Sequence, residues 1–88
     1  VALIDAFAPD AAVKDEGRTH VGQKAIGAWW RAAKAKYQHV IEPLESTKDG
    51  RTTRVLVNVT GQFTGSPARM VFAFRVEDSR IAGLEINP

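Results

Sequence analysis

Two consecutive acids, Asp15 and Glu16, and two imidazoles, His20 and His39, are the residues of this 88-residue chain best suited to moving protons. Asp15 ends a short, mostly apolar segment, with Val13 close by. A carboxylate serves as a general base when partly apolar surroundings bring its proton affinity toward the working pH. Trp29, Trp30, Phe63, Phe72 and Phe74 are the side chains that could supply such surroundings. The alternative for Asp15 is a solvated pair with Glu16 at the start of a loop. Either histidine could relay protons near neutral pH. His20 precedes Gly22 in a predicted loop and reads as solvated. His39 opens a predicted strand beside Tyr37, and could line the mouth of a pocket or pack as an ordinary strand residue. Asp15 and His39 would together make an acid–base pair, although nothing in their spacing brings them into contact. Glu85 lies between Leu84 and Ile86 and on simple alternation faces away from them. An outer ion pair with Arg69 or Arg75 is its default role, and a place in a pocket its alternative.

Other chemistries find no footing. The chain has no cysteine, hence no disulfide framework, thiolate metal site or thiol nucleophile. Two histidines and scattered acids show no metal-ligand spacing. Gly61 and Gly65 do not form a phosphate loop, and no helix follows them. Asn58-Val59-Thr60 matches a glycosylation acceptor but falls within a predicted strand. A net charge of +2, with cations and acids interleaved, leaves no basic stripe for nucleic acid. No run approaches the roughly 18 apolar residues of a membrane span, and no secretory leader pattern opens the sequence. These features suit a cytoplasmic protein without nucleic-acid or membrane partners.

The elements that must position these groups follow from periodicity. Leu3, Ile4 and Phe7 have helical spacing, which Pro9-Asp10 ends in a turn. Residues 11–15 read as a brief extended segment, and a loop through Gly17 and Gly22 leads to a helix over residues 23–37. Ile26, Trp29, Trp30, Ala33 and Tyr37 form one broad apolar face of that helix. Arg31, Lys34 and Lys36 lie toward its C-terminal end, where cations complement the helix dipole.

The period then changes to two. A strand over residues 39–44 contains Pro43, which favours an edge or a bulge. Lys48-Asp49-Gly50-Arg51 is a hairpin signal, followed by strands over residues 53–63, 69–77 and 81–86. Met70, Phe72, Phe74 and Val76 share one face of the second of these. Gly61 and Gly83 predict bulges or strong curvature. Two helical segments followed by antiparallel strands predict a single α+β domain, a curved antiparallel sheet of about four to five strands packed on helices.

The order of these pieces, with the Pro9-Asp10 turn, the acid at Asp15, and a Gly22-started amphipathic helix, resembles the SnoaL-like branch of the nuclear transport factor 2-like superfamily. That superfamily includes polyketide cyclases and ketosteroid isomerases. The resemblance implies a cone-shaped fold whose N-terminal helix is cut short here. It implies that Asp15 points into a conical pocket as a general base, shuttling a proton between carbons beside a carbonyl. Trp29, Tyr37, Phe63, Met70, Phe72 and Phe74 would line that pocket, with His39 assisting.

The isomerase pattern is incomplete. Phe72 stands where the isomerases place a protonated acid, and a phenyl ring cannot donate to an enolate. The Arg/Asp cluster of the superfamily's epoxide hydrolases is absent too, since Val71 occupies the acid's place after Arg69. The expected ligand is a small apolar carbonyl compound handled without a cofactor. The alternative is a non-catalytic dimerisation or binding module. Val71 and Ala73 between Arg69 and Arg75 make the outer sheet face mixed, which suits a homodimer.

Overall fold

A computed structural model describes residues 3–87. A short 3-10 turn (Leu3–Ala6) leads into β1 (Phe7–Asp15) and β2 (Arg18–Val21), then α1 (Gln23–Tyr37). Four strands follow: β3 (Val40–Asp49), β4 (Thr52–Thr60), β5 (Ala68–Glu77) and β6 (Arg80–Asn87). They build one six-stranded sheet in the order β2-β1-β6-β5-β4-β3. The meander from β3 to β6 carries the chain back to β1, where β6 pairs in parallel; the other pairings are antiparallel. The curved sheet packed on a helix agrees with the sequence. The strand number, and the mixed rather than purely antiparallel pairing, correct it.

The N-terminal segment departs most from expectation. Phe7 does not end a helix but opens β1, and Pro9-Asp10 lies within the strand. Proline has no N–H to give to a ladder, so a strand holds it where pairing lapses. The β1–β6 register breaks between Phe7 and Ala12, which spans Pro9. Phe7, Ala11 and Val13 are nearly inaccessible on one face of the strand. Continuing that alternation puts Asp15 on the same inward face. The side chains of Leu3 and Ile4, with residues 1 and 2, lie outside the described residues.

The loop expected at residues 17–22 contains β2, joined to β1 by a tight turn. Glu16 and Gly17 take φ values of 52° and 75° there, the left-handed pair that suits a two-residue hairpin. Helix α1 matches its predicted span. Gly22 precedes it at φ 89°, and the Gly22 N–H donates to the Ala11 carbonyl at 2.8 Å. The Gln23 side chain donates to the Phe7 carbonyl at 2.8 Å, tying the first turn of the helix to β1. Ile26 then drops into a core with Phe7, Ala11, Val13 and Leu84.

At its far end the helix stops on Gln38, in the left-handed conformation, with the Gln38 N–H bound to the Lys34 carbonyl. β3 is an edge strand, and its register shifts between Pro43 and Glu45, the bulge that Pro43 suggested. A third shift lies between Arg75 and Val76, where the Arg75 side chain passes over Gly83. These irregularities bend the sheet around α1.

Gly61 has a different task from the curvature expected of it. It follows β4 at the junction with the helix end, and a Cβ there would meet the Tyr37 carbonyl oxygen at 2.7 Å and the His39 Cα at 3.0 Å. The neighbouring Gln62 N–H donates to that same Tyr37 carbonyl at 2.7 Å. Both obstacles are backbone, so a methyl must push the helix terminus away from the sheet. Gly61→Ala is therefore expected to cost about 1–3 kcal/mol. A thermal melt checks this, and an unchanged midpoint would contradict the close approach.

Candidate functional site

Between the inward face of the sheet and α1 lies a cavity of about 390 Å3, within the range of small-molecule sites. Cross-strand register assembles its floor. Phe72 pairs with Ile86, Met70 with Val57, Ala68 with Val59, and Val59 with Ile41, so these side chains extend one apolar surface across β6, β5, β4 and β3. The helix supplies Trp29, Trp30, Ala33 and Tyr37, and the loop after β4 supplies Phe63 and Thr64. Asp15, Glu16, His39 and Arg69 bring polar groups to the wall.

Asp15 is half-buried, and its Oδ2 accepts a hydrogen bond from Trp29 Nε1 at 3.0 Å. The indole fixes the carboxylate at a largely apolar wall. Trp29 is thus more than a wall, since it also holds the candidate base.

The aromatic groups continue as a row: His20 stacks on Trp29 at 5.9 Å, Trp29 meets Trp30 at 5.9 Å, and Trp30 meets His39 at 5.2 Å. Asp15 and His39 therefore sit at the two ends of the indole pair, and no hydrogen bond joins them among the described residues. The acid–base dyad does not form directly. His39 lines the cavity, and its Nδ1 is buried without a hydrogen-bond partner among the described residues. His20 is not a solvated loop residue but buttresses Trp29 from β2.

Of the expected pocket residues, Trp29, Tyr37, Phe63, Met70 and Phe72 line the cavity, and Phe74 does not. Phe74 shares the inward face with Phe72, at a centroid distance of 6.2 Å, but packs against the core. Glu85 keeps the outer face expected of it but not the expected ion pair. It pairs with Ala73 on the opposite face and is exposed, accepting a bond from Asn87 rather than an ion pair. Arg75 pairs instead with Glu77 at 3.0 Å. Trp30, Glu16, Ile41 and Ile86 complete the wall. The period-two pattern carried the signal for the last two, and Glu16, exposed in the turn between β1 and β2, borders the cavity. Among the described residues no group of acids and histidines is arranged to hold a metal ion, and no helix is long and apolar enough to cross a membrane.

A curved sheet wrapped on a helix around an apolar cavity, with one inward acid, defines the cone-shaped class of ketosteroid isomerase-like folds. Residues 1–84 match the model of the SnoaL-like domain, and the chain belongs to that family. It is similar to a candidate polyketide cyclase from Sinorhizobium meliloti, with 50% identity and a TM-score of 0.95 over 97% of this chain and 78% of that one. A protein of ketosteroid isomerase-like fold from Catenulispora acidiphila, solved in complex with trimethylamine, aligns at 19% identity and a TM-score of 0.85. That match covers 98% of this chain and 72% of the other. A candidate isomerase of the SnoaL-like family from Agrobacterium tumefaciens aligns at 19% identity and a TM-score of 0.79, covering 93% and 73%. No curated protein sequence matches the chain.

Proposed function

We propose that this protein is a cofactor-independent isomerase or cyclase acting on a small apolar carbonyl compound, with Asp15 as its general base. The observation that carries the reading is the Asp15 carboxylate, held by the Trp29 indole at the edge of an apolar cavity. The Sinorhizobium relative, described as a candidate polyketide cyclase, supports the same class of substrate. In the proposed step Asp15 takes a proton from the carbon beside the carbonyl, and the electron pair moves onto the carbonyl oxygen. His39 or water stabilises the enolate by hydrogen bonding. The proton then returns to another carbon, or the enolate carbon attacks a second carbonyl to close a ring and the resulting alkoxide oxygen takes the proton back from Asp15. Trp29, Phe63 and Phe72 shape the site, and Phe72 leaves it without the acidic donor of the steroid isomerases.

Chemical-shift titration with a panel of small cyclic ketones and enones tests the binding half of this reading. Shifts concentrated at the Trp29 indole N–H, the Met70 methyl and Phe72 are expected. An absence of shifts across the panel would contradict it.

A second reading, a dimeric ligand-binding module without catalysis, draws on the outer sheet face. Leu56 pairs with Val71 there, both half-buried in the single chain. Val40 and Leu44 are exposed on the edge strand β3. A homodimer through this face is part of either reading. Val71→Glu is then expected to yield a monomer by light scattering, and an unchanged mass would place any interface elsewhere.

A further inference from the structure

We propose that the mouth of the cavity is a binding site for organic ammonium groups, built from Tyr37, Phe63 and Glu16. The proposal deepens the reading above by naming a feature of the ligand, and rests on it only in that the cavity takes a small molecule. The Tyr37 and Phe63 rings meet at 6.0 Å and 85°, forming two perpendicular walls. Aromatic faces carry the negative lobe of the ring quadrupole, so a cation beside such a corner meets at least one attractive face. The Tyr37 hydroxyl lies 3.4 Å from Glu16 Oε1, which places a carboxylate next to the same corner.

Glu16 is exposed and unpaired by any cation among the described residues, where the one ion pair is Arg75–Glu77. The rings of this helix end already attract ammonium groups. Lys36 Nζ lies 5.0 Å from the centre of the Tyr37 ring, and Lys34 Nζ lies 5.8 Å from that of Trp30. Both lysines are tethered to α1, whereas a ligand ammonium would enter from solvent with its apolar body directed toward Met70 and Phe72. Among the charged side chains lining the cavity, Asp15 and Glu16 are set against Arg69, and Lys36 on the Tyr37 ring is the resident cation that a ligand ammonium would displace. Holding the cation at Glu16 leaves Asp15 free to act on a carbonyl deeper in the cavity.

Choline and 3,3-dimethylbutan-1-ol have the same shape and differ in charge, so titrating each while following the Glu16 and Phe63 amides isolates the electrostatic part. Choline is expected to bind about three- to thirtyfold more tightly. Glu16→Gln, on an exposed turn, should remove most of that advantage without changing the affinity for the alcohol, and Phe63→Leu should reduce it independently. Equal affinity for the two probes, or an advantage that survives both substitutions, would overturn the ammonium site while leaving the apolar cavity intact. Failure of both probes to bind would overturn the ammonium site and count against the small-molecule reading as well.

Discussion

Asp15→Asn is expected to lower the rate of proton exchange beside a substrate carbonyl by about 10²- to 10⁴-fold, the usual contribution of a positioned general base. The substitution is nearly isosteric, and an amide oxygen accepts a hydrogen bond as a carboxylate oxygen does. Trp29 Nε1 therefore keeps its partner, and the wall keeps its shape. What disappears is the lone pair basic enough to take a proton from carbon. Binding of the carbonyl compound should stay within about threefold of wild type, because an interaction made only in the transition state affects rate and not ground-state affinity. Deuterium incorporation in heavy water, followed by proton NMR, reads the rate without knowledge of the final product. An Asp15→Asn protein that exchanges as fast as wild type would remove Asp15 from the chemistry. One that loses ligand and rate together would make it a binding residue.

Ile26→Ala should produce the largest loss of stability. Ile26 is 1% exposed and joins α1 to Phe7, Ala11, Val13 and Leu84, so its truncation opens a void where helix and sheet meet. Such a change costs about 2–5 kcal/mol, a large share of the roughly 5–15 kcal/mol that holds a domain together. For a chain this short the thermal midpoint should fall by more than about 10 °C. Ile26→Val, which removes one methyl, should cost about 0.5–1.5 kcal/mol. Equal midpoints for the two variants would mean that the helix is not anchored there. The expectation also bears on the site, since the same helix presents Trp29 to Asp15 and Tyr37 to Glu16.

Local periodicity made much of this fold legible. The apolar face of residues 26–37 defined α1, and alternation through Val55, Val57 and Val59 and through Met70 and Phe72 defined the cavity floor. The missed features depend on partners far away in the chain. β2 is four residues of mixed polarity whose strand character comes from pairing with β1. The parallel β1–β6 pairing joins segments about seventy residues apart, and no local pattern encodes it. Pro9 looked like a helix stop because a lapse in a ladder cannot be read from one strand alone.

The candidate site divides in the same way. Asp15 and the aromatic wall were visible as residue types on predictable faces. Phe72 and Phe74 share a face, so only their position along β5 relative to α1 separates cavity from core. The Trp29–Asp15 bond and the row from His20 to His39 are products of tertiary packing alone.

The central claim is that the cavity holds a small carbonyl compound against Asp15. Native mass spectrometry of the protein as purified from cells tests it most directly, with a Met70→Trp variant, whose indole would fill the cavity, as the control. The account predicts a retained small molecule that is released on denaturation, has a composition containing a carbonyl group, and is absent from the filled variant. A wild-type protein as empty as Met70→Trp, or one carrying a molecule without a carbonyl, would contradict it.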